Sequence, residues 1–334
     1  MPASAPFLLT GATGFVGSAV ARALAGRGHR LRLLVRPGSD RANLAGLDAD
    51  IIKGDLRDPA SLSRATQGCA ALFHVAADYR LWVPDPDAMM AANVAGTVTL
   101  MRAAQAAGVA RIVYCSSVAA LGQIGDGTPA DEATPNDPAK IVGAYKKSKY
   151  LAEQAVRDMV RTEGLQAVIV NPSTPVGPRD IKPTPTGKTI RDAAAGKIPA
   201  YIDTGLNIVH VDDVAEGHVL AYERGRVGES YILGGEDFSL RDLLRLIAEI
   251  SGQKPPLCAL PAAALWPVAA GCELAARVFG TDPLVTREML QMARKKMFFS
   301  SAKARAELGY APRPARAAIE DAVAWFRANG KVAP

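Results

Sequence analysis

The sequence predicts an α/β protein: a Rossmann-type, doubly wound parallel sheet with a smaller, mostly helical C-terminal substrate domain. Three observations carry this. Short apolar runs alternate with helix-period segments through the first half of the chain. A glycine-rich turn, Thr10-Gly11-Ala12-Thr13-Gly14-Phe15-Val16-Gly17, joins the first apolar run to the first helical one. After Asn171-Pro172 the alternation stops, and prolines followed by helical patterns take over.

In chain order, strands are expected at 7–9, 31–35, 51–52, 70–75, 111–115 and 167–170. The intervening helices include 15–25, a long one over 89–107 and another over 145–163. Residues 172–185 hold five prolines and form an irregular segment suited to a site wall. The run 207–211 reads as a return to the main sheet. Beyond Glu229, helices are expected over 240–250, 284–295 and 317–328. This division puts a cofactor domain at 1–172 plus about 207–225, and a substrate domain at 173–206 and 226–330.

Composition narrows the function classes. The chain has 334 residues, 49% hydrophobic and 22% charged, enough for one large or two modest domains. Cys69, Cys115, Cys258 and Cys272 form no CxxC pair, so they read as buried apolar thiols in a reducing compartment, with no disulfide framework and no metal site. A net charge of +6 serves solubility, with attraction to anionic ligands as the sharper reading. Arg294-Lys295-Lys296 is too short a basic run for nucleic acid. No signal peptide precedes the first strand, so a cytoplasmic protein is expected. The stretch 255–272 lacks charge but holds four prolines and is shorter than the ~20 apolar residues of a spanning helix. It reads as buried or surface-lying. Stable membrane insertion is not expected, and peripheral contact with the inner membrane is left open.

The glycines of the turn have separate mechanical jobs. Gly11 makes the tight turn, Gly14 lets the backbone approach a pyrophosphate, and Gly17 lets the helix pack on the strand. The first helical turn, with Thr13, Phe15 and Val16, offers N–H groups and a positive dipole end to phosphates. An NAD-binding chain of this kind carries an acidic residue at the end of the second strand; here Arg36 stands there and no acid follows until Asp40. A guanidinium pairs well with a 2′-phosphate, so NADP is the expected cofactor, with NAD as the alternative.

Tyr145 and Lys149 are four residues apart on one helix and share a face. A nearby ammonium favours the phenolate, and the pair can exchange a proton with a hydroxyl or carbonyl oxygen. Ser116 and Ser117 follow the fifth strand and can polarise that oxygen. Tyr79, Arg80 and Trp82 follow the fourth strand in a loop placed to close over a substrate.

Together, the G-x-x-G-x-x-G turn, the Ser-Ser turn and the Y-x-x-x-K pair resemble the extended short-chain dehydrogenases/reductases, the NAD-dependent epimerase/dehydratase family. That resemblance selects Ser117, five residues before Gly122, as the catalytic hydroxyl beside Tyr145 and Lys149. It implies that Asp55, with Leu56, holds the adenine; that Ala76 lies on the adenosine side; that Asn93 is structural; and that Pro172, Ser173 and Thr174 lie against the nicotinamide. Arg179 and Lys182 face outward or toward substrate, with an ion pair equally open for Arg179. His210 either touches substrate or is structural. Val118 and Ala119 are not acidic, which disfavours sugar dehydration.

The runs 74–82, 171–187, 201–217 and 295–303 resemble hopanoid-associated sugar epimerases, which are also labelled dihydroflavonol 4-reductase-like. The resemblance implies hydride transfer at a secondary alcohol or ketone. The outcomes it implies are a sugar epimerase of hopanoid lipid biosynthesis or an NADPH-dependent carbonyl reductase, with a non-catalytic dinucleotide sensor as a third reading. It also implies a small-molecule substrate, a sugar or carbonyl compound that includes lipid-linked ones, and a homodimer.

Overall fold

The computed structural model describes residues 5–80, 83, 85–279, 286–293 and 295–332. Seven parallel strands form the main sheet: β1 (Phe7–Thr10), β2 (Leu31–Val35), β3 (Asp50–Lys53), β4 (Ala71–His74), β5 (Arg111–Cys115), β6 (Ala167–Pro172) and, much later in the chain, Ser230–Leu233. The inner strands are apolar and buried along their length, as a sheet covered on both faces requires. Alternation divides their side chains between two cores. Leu8, Leu72, Ile112 and Ile169 pack with Leu62, Leu100 and Val156 from the helices Pro59–Thr66, Gly96–Ala106 and Ala144–Glu163. Leu9, Phe73, Val113 and Val170 face the other way, against the helices Phe15–Gly26 and Val211–Arg224.

A second body covers the C-terminal ends of these strands. Its sheet contains β7 (Thr174–Val176) and β9 (Gly205–His210), while β8 (Ala200–Ile202) pairs elsewhere. With β10 being Ser230–Leu233 of the main sheet, β11 (Glu236–Ser239) and β13 (Lys296–Met297) flank β9, and β12 (Cys258–Leu260) pairs with β8. The helices Pro185–Ala194, Leu240–Ser251 and Ala315–Ala328 share a separate core with this sheet, including Ile190, Ile208, Leu243 and Phe326.

Several expectations are corrected here. The strand expected at 207–211 does not return to the main sheet; it is the centre of the small one. The main sheet is completed instead by β10, at residues assigned above to the substrate domain. The reason is the crossover: two parallel strands need a long connection, and the helix Val211–Arg224, buried on the sheet through Val211, Val214 and Val219, supplies it, so that Ser230 falls opposite Ile169. The C-terminal region also carries short strands among its helices. Its helix over 284–295 is observed at Arg287–Met292, and residues 284, 285 and 294 lie outside the described residues. All four cysteines are free, but only Cys69 and Cys115 are buried; Cys258 is exposed on an edge. Residues 255–272 form β12, a short turn and the start of the helix Trp266–Phe279, and no helix among the described residues is long and apolar enough to cross a membrane.

Phe73 sits at the centre of β4 with no exposed surface. Phe73→Ala is expected to destabilise the protein by about 3–5 kcal/mol, the range for an aromatic deleted from a packed interior. Denaturant unfolding measures it, and a loss below about 1 kcal/mol would contradict this packing.

Candidate active site

The site lies where β1, β4, β5 and β6 end. After β1 the chain turns at Gly11, whose φ is +80°. A Cβ there would lie 2.7 Å from the Ala76 nitrogen, so the turn is pressed against the chain leaving β4. A Cβ on Gly17 would collide with the Gly11 carbonyl oxygen. The Gly14 N–H donates to that same oxygen at 2.9 Å. The helix Phe15–Gly26 then begins with no side-chain cap and no acidic residue in its first turn. Its leading N–H groups and positive dipole end are therefore uncompensated, which fits a pyrophosphate. Phe15 itself is buried in the core, so its backbone and not its ring faces the turn. Val16 packs partly on the same core, and the Thr13 carbonyl accepts from Asn43 Nδ2 at 3.2 Å.

A buried chain of hydrogen bonds steadies the far side of the turn. Thr10 Oγ1 lies 2.8 Å from His74 Nδ1 and accepts from the Ala76 N–H at 3.2 Å; His74 Nε2 lies 2.9 Å from Thr97 Oγ1. Burial, with the Lys149 ammonium nearby, pushes the His74 pKa down to about 3, so this imidazole stays neutral. Its role was not anticipated, because Thr97 is 23 residues away on another element.

Arg36 is exposed at the end of β2, close enough to Asp55 and Asp78 to act on both carboxylates. Asp55 is held in a two-point pair by Arg57, at 3.0 Å on each oxygen, and this guanidinium keeps its carboxyl below the usual range. Leu56 lies under Gly96, where a Cβ would come within 2.9 Å of it.

The helix Ala144–Glu163 starts after Gly143 and carries Tyr145 and Lys149 inward. Lys149 is 3% exposed; its Nζ donates to the Cys115 carbonyl at 2.7 Å and sits 5.1 Å from the Tyr114 ring centre. Burial lowers its pKa, opposed by the carboxylate of Glu153. Ser117 follows β5; its Oγ accepts from the Ala119 N–H at 3.1 Å and lies near enough to the Tyr145 hydroxyl to act on its titration. Burial pushes the Tyr145 phenol up to about 12, with Ser117 pulling the other way. Ser116 alternates to the opposite face, toward the buried Tyr114. The three residues Ser117, Tyr145 and Lys149 are thus brought together at one strand end. Asn93 ties this corner to the β4 loop. It sits in a π-turn, Ala91–Ala95, and its Nδ2 donates to the Asp78 carbonyl at 2.8 Å and to Ser148 Oγ at 2.9 Å, while its Oδ1 accepts from the Asp78 N–H at 2.8 Å.

On the substrate side, Pro172 ends β6 and Thr174 begins β7, so the chain passes from one sheet to the other at Ser173. The Ser173 hydroxyl is buried without a hydrogen-bond partner among the described residues, as a ligand-facing group would be. Arg179 adopts φ +74° and pairs with Asp212, so the ion-pair alternative is the one observed. Asp180, weighed in the sequence as the partner of Arg179, instead accepts from the Thr184 N–H and Oγ1, both at 2.9 Å, and anchors the loop; burial pushes its pKa up to about 6. Lys182 is exposed. Tyr79 is 41% exposed, and its hydroxyl is raised by partial burial and then by Asp180. Trp82 lies outside the described residues.

His210 is corrected: it has no exposed surface, its Nδ1 accepts from the Asp212 N–H at 3.0 Å, and its Nε2 lies 3.0 Å from Asp321. It caps the helix Val211–Arg224, leaving no ring nitrogen for a substrate. Asp212 and Asp213 fall in that helix's first turn.

Gly11→Ala is expected to weaken nicotinamide-dinucleotide binding by about tenfold or more, since strain and collision both act on the glycine turn. Gly28→Ala, which shares the positive φ but opens onto free space, is expected to leave binding unchanged. Fluorescence titration compares the two, and equal effects would contradict the assignment.

Residues 7–234 match the family model described as NAD dependent epimerase/dehydratase family. The match ends one residue past β10, where the main sheet closes. A protein of Synechocystis sp. named putative dihydroflavonol 4-reductase is 43% identical, over 98% of this chain and 96% of its own. The crystal structure of gox2253 superposes with a TM-score of 0.89 at 63% identity, covering 98% of this chain and 99% of that one. The structure of PA4631, a nucleoside-diphosphate-sugar epimerase from Pseudomonas aeruginosa, gives 0.79 at 29% identity, covering 99% and 100%. The chain belongs to the NAD dependent epimerase/dehydratase family.

Proposed function

We propose that the protein is an oxidoreductase that moves hydride between an NADP nicotinamide and a secondary alcohol or ketone. The observation that carries this is the gathering of Ser117, Tyr145 and Lys149 at the end of β5, with the Lys149 ammonium on the Cys115 carbonyl, beside the glycine turn. The nicotinamide, when bound, supplies or accepts the hydride. Gly11, Gly14 and the backbone of Thr13, Phe15 and Val16 would hold its pyrophosphate. Ala76, Asp55 and Leu56 would border the adenosine, and Pro172, Ser173 and Thr174 the nicotinamide.

With its pKa pushed up, Tyr145 is a protonated phenol at neutral pH and donates a proton to the carbonyl oxygen as hydride reaches the carbon. In the reverse direction Tyr145 takes the hydroxyl proton, and the Lys149 ammonium favours the resulting phenolate. Ser117 would donate to and polarise the same substrate oxygen. Tyr79 and Lys182, both exposed, would serve as substrate contacts. Arg179, engaged by Asp212, positions the loop.

Net carbonyl reduction is the first reading of outcome, supported by Arg36 and by the reductase name of the Synechocystis relative. A sugar epimerase, which returns the hydride to the same substrate and retains its cofactor, is the second. The PA4631 likeness and the resemblance to hopanoid-associated epimerases favour it. A non-catalytic sensor has no use for the assembled Ser117, Tyr145 and Lys149. The hopanoid setting accords with three exposed apolar side chains, Leu257 at 91%, Val268 at 53% and Leu274 at 64% exposed. A cytoplasmic homodimer touching the inner membrane there, with a lipid-linked or apolar carbonyl as substrate, completes the proposal.

Three outcomes test it. Tyr145→Phe is expected to cut turnover of ketones by about 10²–10⁴-fold while sparing NADPH binding. Because the phenol must stay protonated to donate, wild-type reduction should hold level through neutral pH and fall only as pH climbs toward about 12. Near-normal rates in the variant would overturn the assignment. Arg36→Ala is expected to weaken NADPH about tenfold and NADH little, as loss of one charge-assisted contact predicts. Equal weakening of both would refute the phosphate pairing.

A further inference from the structure

We infer that Glu153 is a positioning residue for hydride transfer, acting through Asn171 on Ser117 and through its charge on Lys149. The inference rests on the reading of Ser117, Tyr145 and Lys149 given above. Tyr145, Lys149 and Glu153 recur at intervals of four on one helix, so all three line its inward face. Glu153 is 2% exposed. A carboxylate in that setting is costly unless its oxygens are paired.

Both oxygens are paired, and the pairs lead to the site. Oε1 accepts from Arg157 Nε at 3.1 Å and Nη2 at 2.8 Å. Arg157 Nη2 also donates to Ser230 Oγ at 2.8 Å, which anchors the cation on the edge strand β10. Oε2 accepts from Asn171 Nδ2 at 2.8 Å. The same Nδ2 donates its other hydrogen to the Ser117 carbonyl at 3.1 Å. Asn171 Oδ1, meanwhile, is buried with no hydrogen-bond partner among the described residues.

That orphaned oxygen reveals the direction of control. Left to itself, a buried amide turns to satisfy its oxygen. Turning this one would aim Oδ1 at the Glu153 carboxylate, lone pair against negative charge. Glu153 therefore holds the Asn171 NH₂ inward, and the NH₂ holds the backbone of Ser117, whose hydroxyl lies on the Tyr145 side of the strand end. A stranded acceptor is tolerated to keep a catalytic hydroxyl in register. The second route is electrostatic. Lys149 has a carbonyl and a ring as its contacts, and Glu153 lies one turn away. The other titratable groups around Lys149 are His74 on β4, Tyr114 and Cys115 on β5, and Tyr145 on its own helix. None of these brings a carboxylate.

Glu153→Gln keeps the shape and removes the charge, and Asn171→Ala cuts the link to Ser117 while leaving the charge in place. NADPH and the best-reduced ketone of an aryl and polycyclic panel serve as probes. For Glu153→Gln, kcat should fall by about tenfold or more with NADPH affinity within about twofold of wild type. In ε-¹³C-lysine NMR titrations, with Lys149 assigned through Lys149→Met, the Lys149 midpoint should move to lower pH by at least about half a pH unit. Asn171→Ala should lower kcat to a similar degree with the Lys149 midpoint unmoved. Should Glu153→Gln not fold, the Asn171→Ala result alone decides the route to Ser117. Wild-type kcat in the variant that folds, or a loss of kcat matched by an equal loss of NADPH affinity, would overturn the inference. If Tyr145→Phe stays active, the underlying reading fails; if Tyr145→Phe is dead while Glu153→Gln is normal, only this inference fails.

Discussion

A buried ammonium sets the terms for the rest of this protein. Lys149 gives up nearly all its water and receives one carbonyl, that of Cys115, at 2.7 Å. Losing hydration disfavours the charged form, so the charge persists only with oriented dipoles and a nearby carboxylate. That requirement fixes the register between the helix Ala144–Glu163 and the end of β5. Once Lys149 meets Cys115, Tyr145 falls one turn back toward Ser117, and Glu153 falls one turn on toward Asn171.

The parallel sheet makes this arrangement possible. Gly11 leaves β1, Ala76 leaves β4, Ser117 leaves β5 and Ser173 leaves β6, all at the same edge of the sheet. A parallel sheet gathers every such strand end on one side, which is where ligands of open α/β folds bind. The smaller body then begins on that side, because the chain leaves the main sheet at Ser173.

Local chemistry was legible in the sequence, and distant partnerships were not. β2 and β5 have the expected bounds because each is an apolar run with clear flanks. The glycine turn and the Tyr145–Lys149 pair are defined by spacings within one turn of chain. The choice of Ser117 over Ser116 leaned on resemblance alone, whereas in three dimensions plain strand alternation separates them. The strand Gly205–His210 was recognisable as a strand, but its pattern does not say which sheet it joins; the burial of the crossover helix decides that. The sequence left His210 open between substrate contact and a structural role, and its partner Asp321, 111 residues on, decides for the latter. Asn93 and Asp78, and Asn171 and Glu153, meet only through the tertiary fold. The exposure of Cys258 follows from a short edge strand that residue type does not announce.

The central claim is hydride transfer from a nicotinamide to a carbonyl carbon held by Ser117 and Tyr145. Isotope tracing tests it most directly. With NADPH deuterated at the reactive carbon and a ketone turned over by the enzyme, the account predicts one deuterium on the new carbinol carbon for each NADPH oxidised. An alcohol product without deuterium, its hydrogen drawn from solvent, would contradict it.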